Sequence, residues 1–152
     1  MFLENNLCAA PAKTKTRGAS ARFKVKTLTL QREGVVIDRT TGLMWQQTAS
    51  TQPMLFRLAT AWIDNLNKFG YAGFHDWRLP TLVEAMTLME QSPNENGLYI
   101  DAIFNAKQRS WFWTSERGEA DLAWYVNFNY GYSQLNRTKS SHNSVRAVRL
   151  NF

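Results

Sequence analysis

Six tryptophans constrain the fold of this chain more than any other feature of its sequence, because they are spread along it rather than grouped. They are Trp45, Trp62, Trp77, Trp111, Trp113 and Trp124. This spacing predicts an aromatic-rich core to which many short elements contribute. With 152 residues, of which 44% are hydrophobic, the chain has room for one domain with a real core. We therefore expect a single α+β domain over residues 23–152, preceded by a basic leader or oligomerisation arm over residues 1–22.

Two helices are indicated by the spacing of apolar residues and by signals at the helix ends. The first is expected over residues 57–69, with a C-terminal cap at Gly70. The second begins after Pro80, where Thr81 and Glu84 form the T-x-x-E pattern of a capping box. The apolar faces are expected to contain Leu58, Trp62, Leu66 and Phe69 in the first helix and Leu82, Ala85, Met86 and Met89 in the second.

Strand-like segments flank these helices on both sides. Residues 34–45 contain two apolar runs around a polar turn that Gly42 closes, which is a hairpin signal. Further strands are predicted at 111–114, 123–128 and 145–150, with a turn at 116–119, a loop at 129–144 and a weaker extended pattern at 23–30. In the 123–128 strand, Trp124, Val126 and Phe128 alternate with Tyr125, Asn127 and Asn129. We expect the first set to face the core and the second set to face solvent.

Composition excludes several classes of protein. Cys8 is the single cysteine, so no internal disulfide is expected. With only two histidines, His75 and His142, a zinc site is not expected either, and no cofactor is predicted. No apolar run reaches the roughly 20 residues that cross a bilayer, so no transmembrane segment is predicted. The N-terminus lacks the apolar segment of a signal peptide. The compartment is left open between the cytoplasm and export by a non-classical route.

The net charge of +6 is concentrated at the two ends of the chain. The basic residues of these ends are Lys13, Lys15, Arg17, Arg22, Lys24, Lys26 and Arg32 in the leader and Arg137, Lys139, Arg146 and Arg149 in the tail. Such an arm is typical of a solvated tail or a subunit contact. No nucleic-acid-binding signature accompanies it, so nucleic acid is not an expected partner.

The segment His75 to Thr81 carries the clearest motif, W-R-L-P-T. It resembles the hallmark of the domain family named after the C-terminal domain of the Legionella collagen-like adhesin. Matching phrases are D-R-T-T-G-L-M-W at 38–45, W-T-S at 113–115, W-Y-V-N-F at 124–128 and V-R-A-V-R at 145–149. The resemblance covers roughly residues 34–150. A similar R-L-P-T-x-x-E phrase occurs in formylglycine-generating-type domains, so the resemblance implies a compact C-type-lectin-like fold with terminal strands close together.

The motif residues are interpreted as structural rather than catalytic. They are Asp76, Trp77, Arg78, Leu79, Pro80 and Thr81. We expect the Arg78 guanidinium to tie loop carbonyls and a carboxylate such as Asp76 together, while Trp77 and Leu79 enter the core. Some family members carry a cysteine in the first helix and another in the final strand; Ile63 and Ala147 occupy the corresponding positions. The resemblance therefore implies a fold held by packing alone. Glu84, Glu90 and Asp101 are acids without an evident partner, and no catalytic set can be named, so an enzyme is not expected.

The end of the chain is predicted to be a ligand-binding surface. Tyrosine combined with small polar residues is typical of recognition surfaces. The predicted ligand contacts are Tyr125, Asn127, Asn129, Tyr130, Tyr132, Gln134, Asn136, Arg137, Lys139, His142 and Asn143. The ligand would be a protein or a glycan. C-type-lectin-like domains also serve as hypervariable targets of diversity-generating retroelements, and the composition of residues 125–144 is compatible with that role.

Two alternative functions remain open at this point. The resemblance to an adhesin implies binding of sulfated or acidic glycans, in which the basic tail would contact the anions. Arg146 and Arg149 can equally be buried or paired, and Tyr125 can equally be a cross-strand packing residue. The other alternative is an assembly protein that forms a homo-oligomer through residues 1–32.

Overall fold

The computed structural model of the chain describes residues 27–31, 34–104 and 110–152. The predicted leader at 1–22 and Cys8 lie outside these residues. The described elements are β1 (Leu28–Leu30), β2 (Val35–Asp38), β3 (Leu43–Gln46), α1 (Phe56–Phe69), α2 (Leu82–Thr87), β4 (Trp111–Arg117), β5 (Leu122–Asn127), β6 (Tyr132–Arg137) and β7 (Val148–Leu150). Two helices and two small antiparallel sheets make this an α+β fold, as predicted.

Helix α1 has the predicted C-terminal cap but a different buried face. Gly70 adopts φ 69°, and its N–H contacts the carbonyls of Asn67 and Leu66. The buried residues are Phe56, Ala59 and Ile63, whereas Leu58 and Phe69, which were expected in the core, are 42% and 82% exposed. The sequence of α1 contains two overlapping apolar stripes, one that begins at Phe56 and the predicted one that begins at Leu58. The stripe that begins at Phe56 is buried because that ring packs edge-on against Trp113, with centroids 5.4 Å apart.

Helix α2 begins with the predicted capping box. The Thr81 hydroxyl accepts from the Glu84 N–H at 3.1 Å, and the Glu84 carboxylate accepts from the Thr81 N–H at 2.8 Å. Ala85 is buried, and the other residues of the expected apolar face are partly buried against the same cluster. Neither this helix nor any other in the described ranges is long and apolar enough to cross a bilayer.

The first sheet joins the start and the end of the domain. Its strand order is β1-β2-β3-β7, with every neighbouring pair antiparallel. The predicted hairpin is confirmed: β2 and β3 pair from Val35 with Gln46 to Asp38 with Leu43. Asp38 accepts from the Thr40 N–H at 2.9 Å and from the Thr41 hydroxyl at 2.8 Å, which fixes the turn between the two strands.

The second sheet differs from the sequence prediction. Its order is β4-β5-β6, and β6 lies within the segment predicted to be a loop. The turn before β5 comes after Arg117 rather than at 116–119, and the last strand is shorter than predicted because it begins at Val148. Strand β6 was missed because it lies at an edge and carries no buried apolar alternation.

The core consists of two hydrophobic clusters, and β5 contributes to both. Val126 belongs to the first cluster with Trp45 and α2, whereas Tyr125 belongs to the second with Trp113 and α1. Three of the six tryptophans are almost completely buried: Trp45 at 1%, Trp77 at 2% and Trp113 at 0% exposure. Ile63 and Ala147, the positions related to cysteines in some family members, are buried in the second cluster.

The ion pairs of the W-R-L-P-T segment are not the expected ones. Asp76 binds Arg149, with its Oδ1 2.6 Å from Nε, while Arg78 donates to both oxygens of Glu84 at 2.7 Å. Glu84, predicted to lack a partner, is therefore paired. Trp77 is buried as expected, and Leu79 is partly buried beside it. The motif thus fixes the start of α2 and the position of β7, which is a structural role.

Candidate functional site

The hairpin of β5 and β6 contains most of the predicted ligand contacts. Strand register places Tyr132 beside Asn127, and Gln134 beside Tyr125. These four side chains lie on one face, since cross-strand neighbours point the same way. Arg137 pairs with Leu122 and lies on the other face. The predicted surface is therefore divided between the two faces of β6.

Tyr130 and Tyr132 form an exposed stacked pair at the tip of this hairpin. Their ring centroids are 6.3 Å apart with an interplanar angle of 11°, and the residues are 69% and 39% exposed. Burial, followed by the influence of the nearby Tyr132 hydroxyl, raises the pKa of Tyr125 to about 12. Tyr132 lies in β6 beside Asn127, so strand pairing holds one ring of the pair in place.

Three predicted contact residues are buried, so the expectation that they lie on an exposed surface is wrong. Tyr125 is 5% exposed, Asn127 is 0% exposed and Asn143 is 1% exposed. Strand β5 is the central strand of its sheet and is covered on both faces, so the expected solvent-facing set does not face solvent. Tyr125 packs instead against Trp111, with centroids 6.0 Å apart, as the alternative interpretation expected.

The buried asparagines organise the backbone. Asn127 Oδ1 accepts from the N–H groups of Asn129 and Tyr130 at 3.0 and 3.2 Å, which shapes the turn that presents Tyr130. Asn143 exchanges backbone hydrogen bonds with Met54 at 2.9 and 3.1 Å. Asn127 therefore shapes the hairpin tip through its side chain, whereas Asn143 joins the neighbouring loop to Met54 through its main chain.

The other predicted residues differ in how available they are. Asn129 and Asn136 are half-buried, and their side-chain oxygens accept from the Ser110 N–H at 2.9 Å and the Ser141 hydroxyl at 2.7 Å. Lys139 is exposed and bound to Asp121 at 2.8 Å. Arg137 and His142 are exposed and belong to no stacked pair. We define the tyrosine patch as Tyr130, Tyr132 and Gln134, the exposed residues that the structure brings together on one side.

Tyr99 is a neighbour of the tyrosine patch that sequence reasoning missed. Its N–H donates to the Phe128 carbonyl at 2.7 Å, and a Cβ added to Gly131 would lie 3.2 Å from its ring. Gly131 adopts φ 75°, where glycine is favoured. The glycine therefore lets the hairpin tip lie close on Tyr99. The pattern Tyr-Gly-Tyr at 130–132 was the available signal, but nothing local pointed to residue 99.

The basic tail is largely unavailable to a ligand. Arg146 is 2% exposed, donates to the carbonyls of Gln46 and Gln47, and lies 4.8 Å from the Phe104 ring centroid. Burial lowers the pKa of its guanidinium to about 9. Arg149 is 6% exposed and bound to Asp76. Both arginines therefore match the alternative in which they are buried or paired, and neither guanidinium is exposed on the surface.

The described residues contain no group of three His, Cys, Asp or Glu side chains that could hold a metal ion.

Among the comparisons with known proteins, the search of curated proteins finds no match to the chain. The family model described as the Lcl C-terminal domain matches residues 34–149, which include both sheets except β1 and the last residue of β7, and both helices. The chain therefore belongs to the family of the Lcl C-terminal domain.

Proposed function

We propose that this domain is a non-enzymatic recognition module that binds its ligand through the tyrosine patch. The family takes its name from the C-terminal domain of the Legionella collagen-like protein. The observation that carries the proposal is the exposed stack of Tyr130 on Tyr132, in which Tyr132 is held by its pairing in the sheet. Large exposed aromatic groups of this kind are the usual energetic centres of binding surfaces.

The geometry supports tight binding because the patch is formed before a ligand arrives. Tyrosine offers a large contact area with few rotatable bonds, so little side-chain entropy is lost on binding. The pairing of Tyr132 with Asn127 in the sheet and the close approach of Gly131 to Tyr99 restrict the hairpin further. A preformed surface avoids part of the ordering cost of association.

A protein surface is the ligand that best fits these residues. The patch combines two aromatic rings with the Gln134 amide, and the Lys139 charge, which lies beyond the far end of β6, is bound to Asp121. The glycan alternative has less support, since Arg146 and Arg149 are buried. Tyrosine rings can also stack on sugars, so a glycan is retained as an outcome of the experiment below.

The finer proposal of a C-type-lectin-like fold is supported by the two helices, the two small sheets and the pairing of β7 with β3 near the start of the domain. If copies of this protein vary under a diversity-generating retroelement, variation should occur at the exposed positions and spare the buried ones. The exposed positions among the predicted contacts are Tyr130, Tyr132, Gln134, Arg137, Lys139 and His142. Aligned copies that vary equally at Tyr125 and Asn127 would contradict this version.

The test is a binding screen with matched variants. The full chain is screened against a glycan array and a phage-displayed peptide library, and each selected ligand is measured again with Y130A/Y132A. We expect the double variant to lose at least about tenfold in affinity, the usual effect of removing aromatic residues at a binding centre. F69A removes an even more exposed aromatic group from α1 and should leave affinity unchanged. Selected ligands that bind Y130A/Y132A as tightly as the natural chain would overturn the proposal.

A further inference from the structure

A groove of about 510 Å³ lies between α1, the W-R-L-P-T segment and β4. Its apolar wall is formed by Phe56, Ile63 and Leu79, and its hydroxyl groups belong to Thr60, Thr81 and Ser115. Small-molecule sites typically have this volume and this mixture of apolar walls with a few polar groups. The groove involves none of the tyrosine-patch residues.

The walls of the groove are joined to one another by hydrogen bonds and by an irregularity in β4. The Ser115 N–H donates to the Pro80 carbonyl at 2.8 Å, which ties β4 to the motif segment. The register of β4 shifts between Trp113 and Arg117, around Ser115. Irregularities of this kind bend a strand and re-aim its side chains, and they are frequent next to binding sites.

Two arginines bear on this groove, Arg78 in its wall and Arg117 beside it. Arg78 lines the groove, but both of its terminal nitrogens donate to Glu84 at 2.7 Å, so this pair carries no net charge. The Arg117 guanidinium is not one of the groups that line the groove; it lies beside it, 4.8 Å from the ring centroid of Phe56, which does line it. Within the described residues it forms no ion pair with a carboxylate.

We infer that this groove binds a small monocarboxylate with an apolar body. The apolar part would contact Phe56, Ile63 and Leu79, while the carboxylate would accept from the Arg117 guanidinium and from the hydroxyls of Thr60 or Ser115. One unpaired cation matches one negative charge. A neutral ligand of the same shape would offer Arg117 no carboxylate. The groove should therefore bind the carboxylate more tightly than the neutral ligand.

The probes are 2-naphthoate and its neutral isostere 2-naphthamide, titrated into the isotopically labelled full chain and followed by amide chemical shifts. We expect shifts around residues 56–63 and 115, with 2-naphthoate bound about tenfold more tightly than the amide. R117Q should abolish this preference, whereas R137Q, which removes an exposed arginine from the second sheet, should keep it. T60W, which fills the groove from an exposed helix position, should abolish the binding of both probes.

Three results would overturn the inference: equal affinity for the two probes, an undiminished preference in R117Q, or shifts confined to residues outside the groove. Absence of shifts at millimolar 2-naphthoate would overturn it as well. Because Y130A/Y132A leaves the groove intact, that variant should bind 2-naphthoate normally. The outcome is therefore independent of the proposed function of the tyrosine patch.

Discussion

The Glu84 carboxylate accepts three hydrogen bonds, and its replacement tests directly how the motif segment is held. It accepts from two nitrogens of Arg78 and from the Thr81 N–H. In E84Q, the amide oxygen can still accept from Thr81, as glutamine does in capping boxes, but the bidentate pair with Arg78 is lost. In E84A both interactions are lost. The two variants therefore separate the ion pair from the helix cap.

The magnitudes follow from these contacts. Because the Arg78 side chain is 41% exposed, losing its charge-assisted bonds in E84Q should cost only about 1–2 kcal/mol. Loss of the cap adds about 1 kcal/mol in E84A, for a total of about 2–3 kcal/mol. With roughly 4 °C for each kcal/mol in a domain of this size, we expect Tm to fall by about 4–8 °C in E84Q and about 8–12 °C in E84A.

The effect of E84Q should depend on pH in a defined direction. The hydrogen bonds from Arg78 are the main reason that the pKa of Glu84 lies below its ordinary value of 4.5. A carboxylate with a lowered folded-state pKa stabilises the protein above its unfolded-state pKa, and this contribution is lost as the pH falls through the folded-state value. The difference between the natural chain and E84Q should therefore be complete at neutral pH and shrink below about pH 4.5.

Urea denaturation, followed by the fluorescence of the buried tryptophans, measures these differences at neutral pH and at about pH 3. E95Q replaces an exposed glutamate and serves as the matched control, with an unchanged midpoint expected at neutral pH. Equal stability of E84Q and the natural chain at neutral pH would refute the assigned role of the ion pair. A difference that persists undiminished at the lower pH would refute the titration argument.

Three further outcomes are expected. D76N should destabilise the domain by about 1–2 kcal/mol in urea denaturation at neutral pH, because the nearly buried Arg149 side chain keeps its charge but loses the carboxylate; an unchanged midpoint would count against this pairing. G131A should lower the free energy of unfolding by at least about 1 kcal/mol, since alanine is strained at φ 75° and its methyl group would crowd the Tyr99 ring; a Tm equal to that of the natural chain would show that the tip relaxes freely. In an absorbance titration of the five tyrosines, one should ionise near pH 12 and be missing in Y125F; an identical curve for the variant would exclude Tyr125 as its source.

The helix ends were predictable because their signals are local. Gly70 and the pair Thr81 and Glu84 need only their immediate neighbours to form a cap, and the structure confirms both ends. The buried face of α1 was not predictable in the same way. Two apolar stripes overlap in its sequence, and the choice between them depends on Trp113, which is distant in the chain.

The candidate site was predictable only in part, for a related reason. Alternation along a strand identifies an exposed face only when the other face alone is covered, and β5 is covered on both. Tyr125 and Asn127 were therefore assigned to solvent although both are buried. The predicted pairing of Arg78 with Asp76 was wrong. Asp76 binds Arg149 instead, and Arg149 is too far away in the sequence for a local pattern to reveal it.

The position of β7 beside β3 also sets the order in which the domain can be completed. Trp45 pairs with Val148, about a hundred positions later in the chain, so the first sheet stays unfinished until the second sheet has been synthesised. Until then, the edge of β3 that later pairs with β7 lacks that partner and can pair with another chain. Long-range closure of this kind slows folding. Strand β3, which is fully buried in the finished domain, is therefore open to pairing with another chain during synthesis.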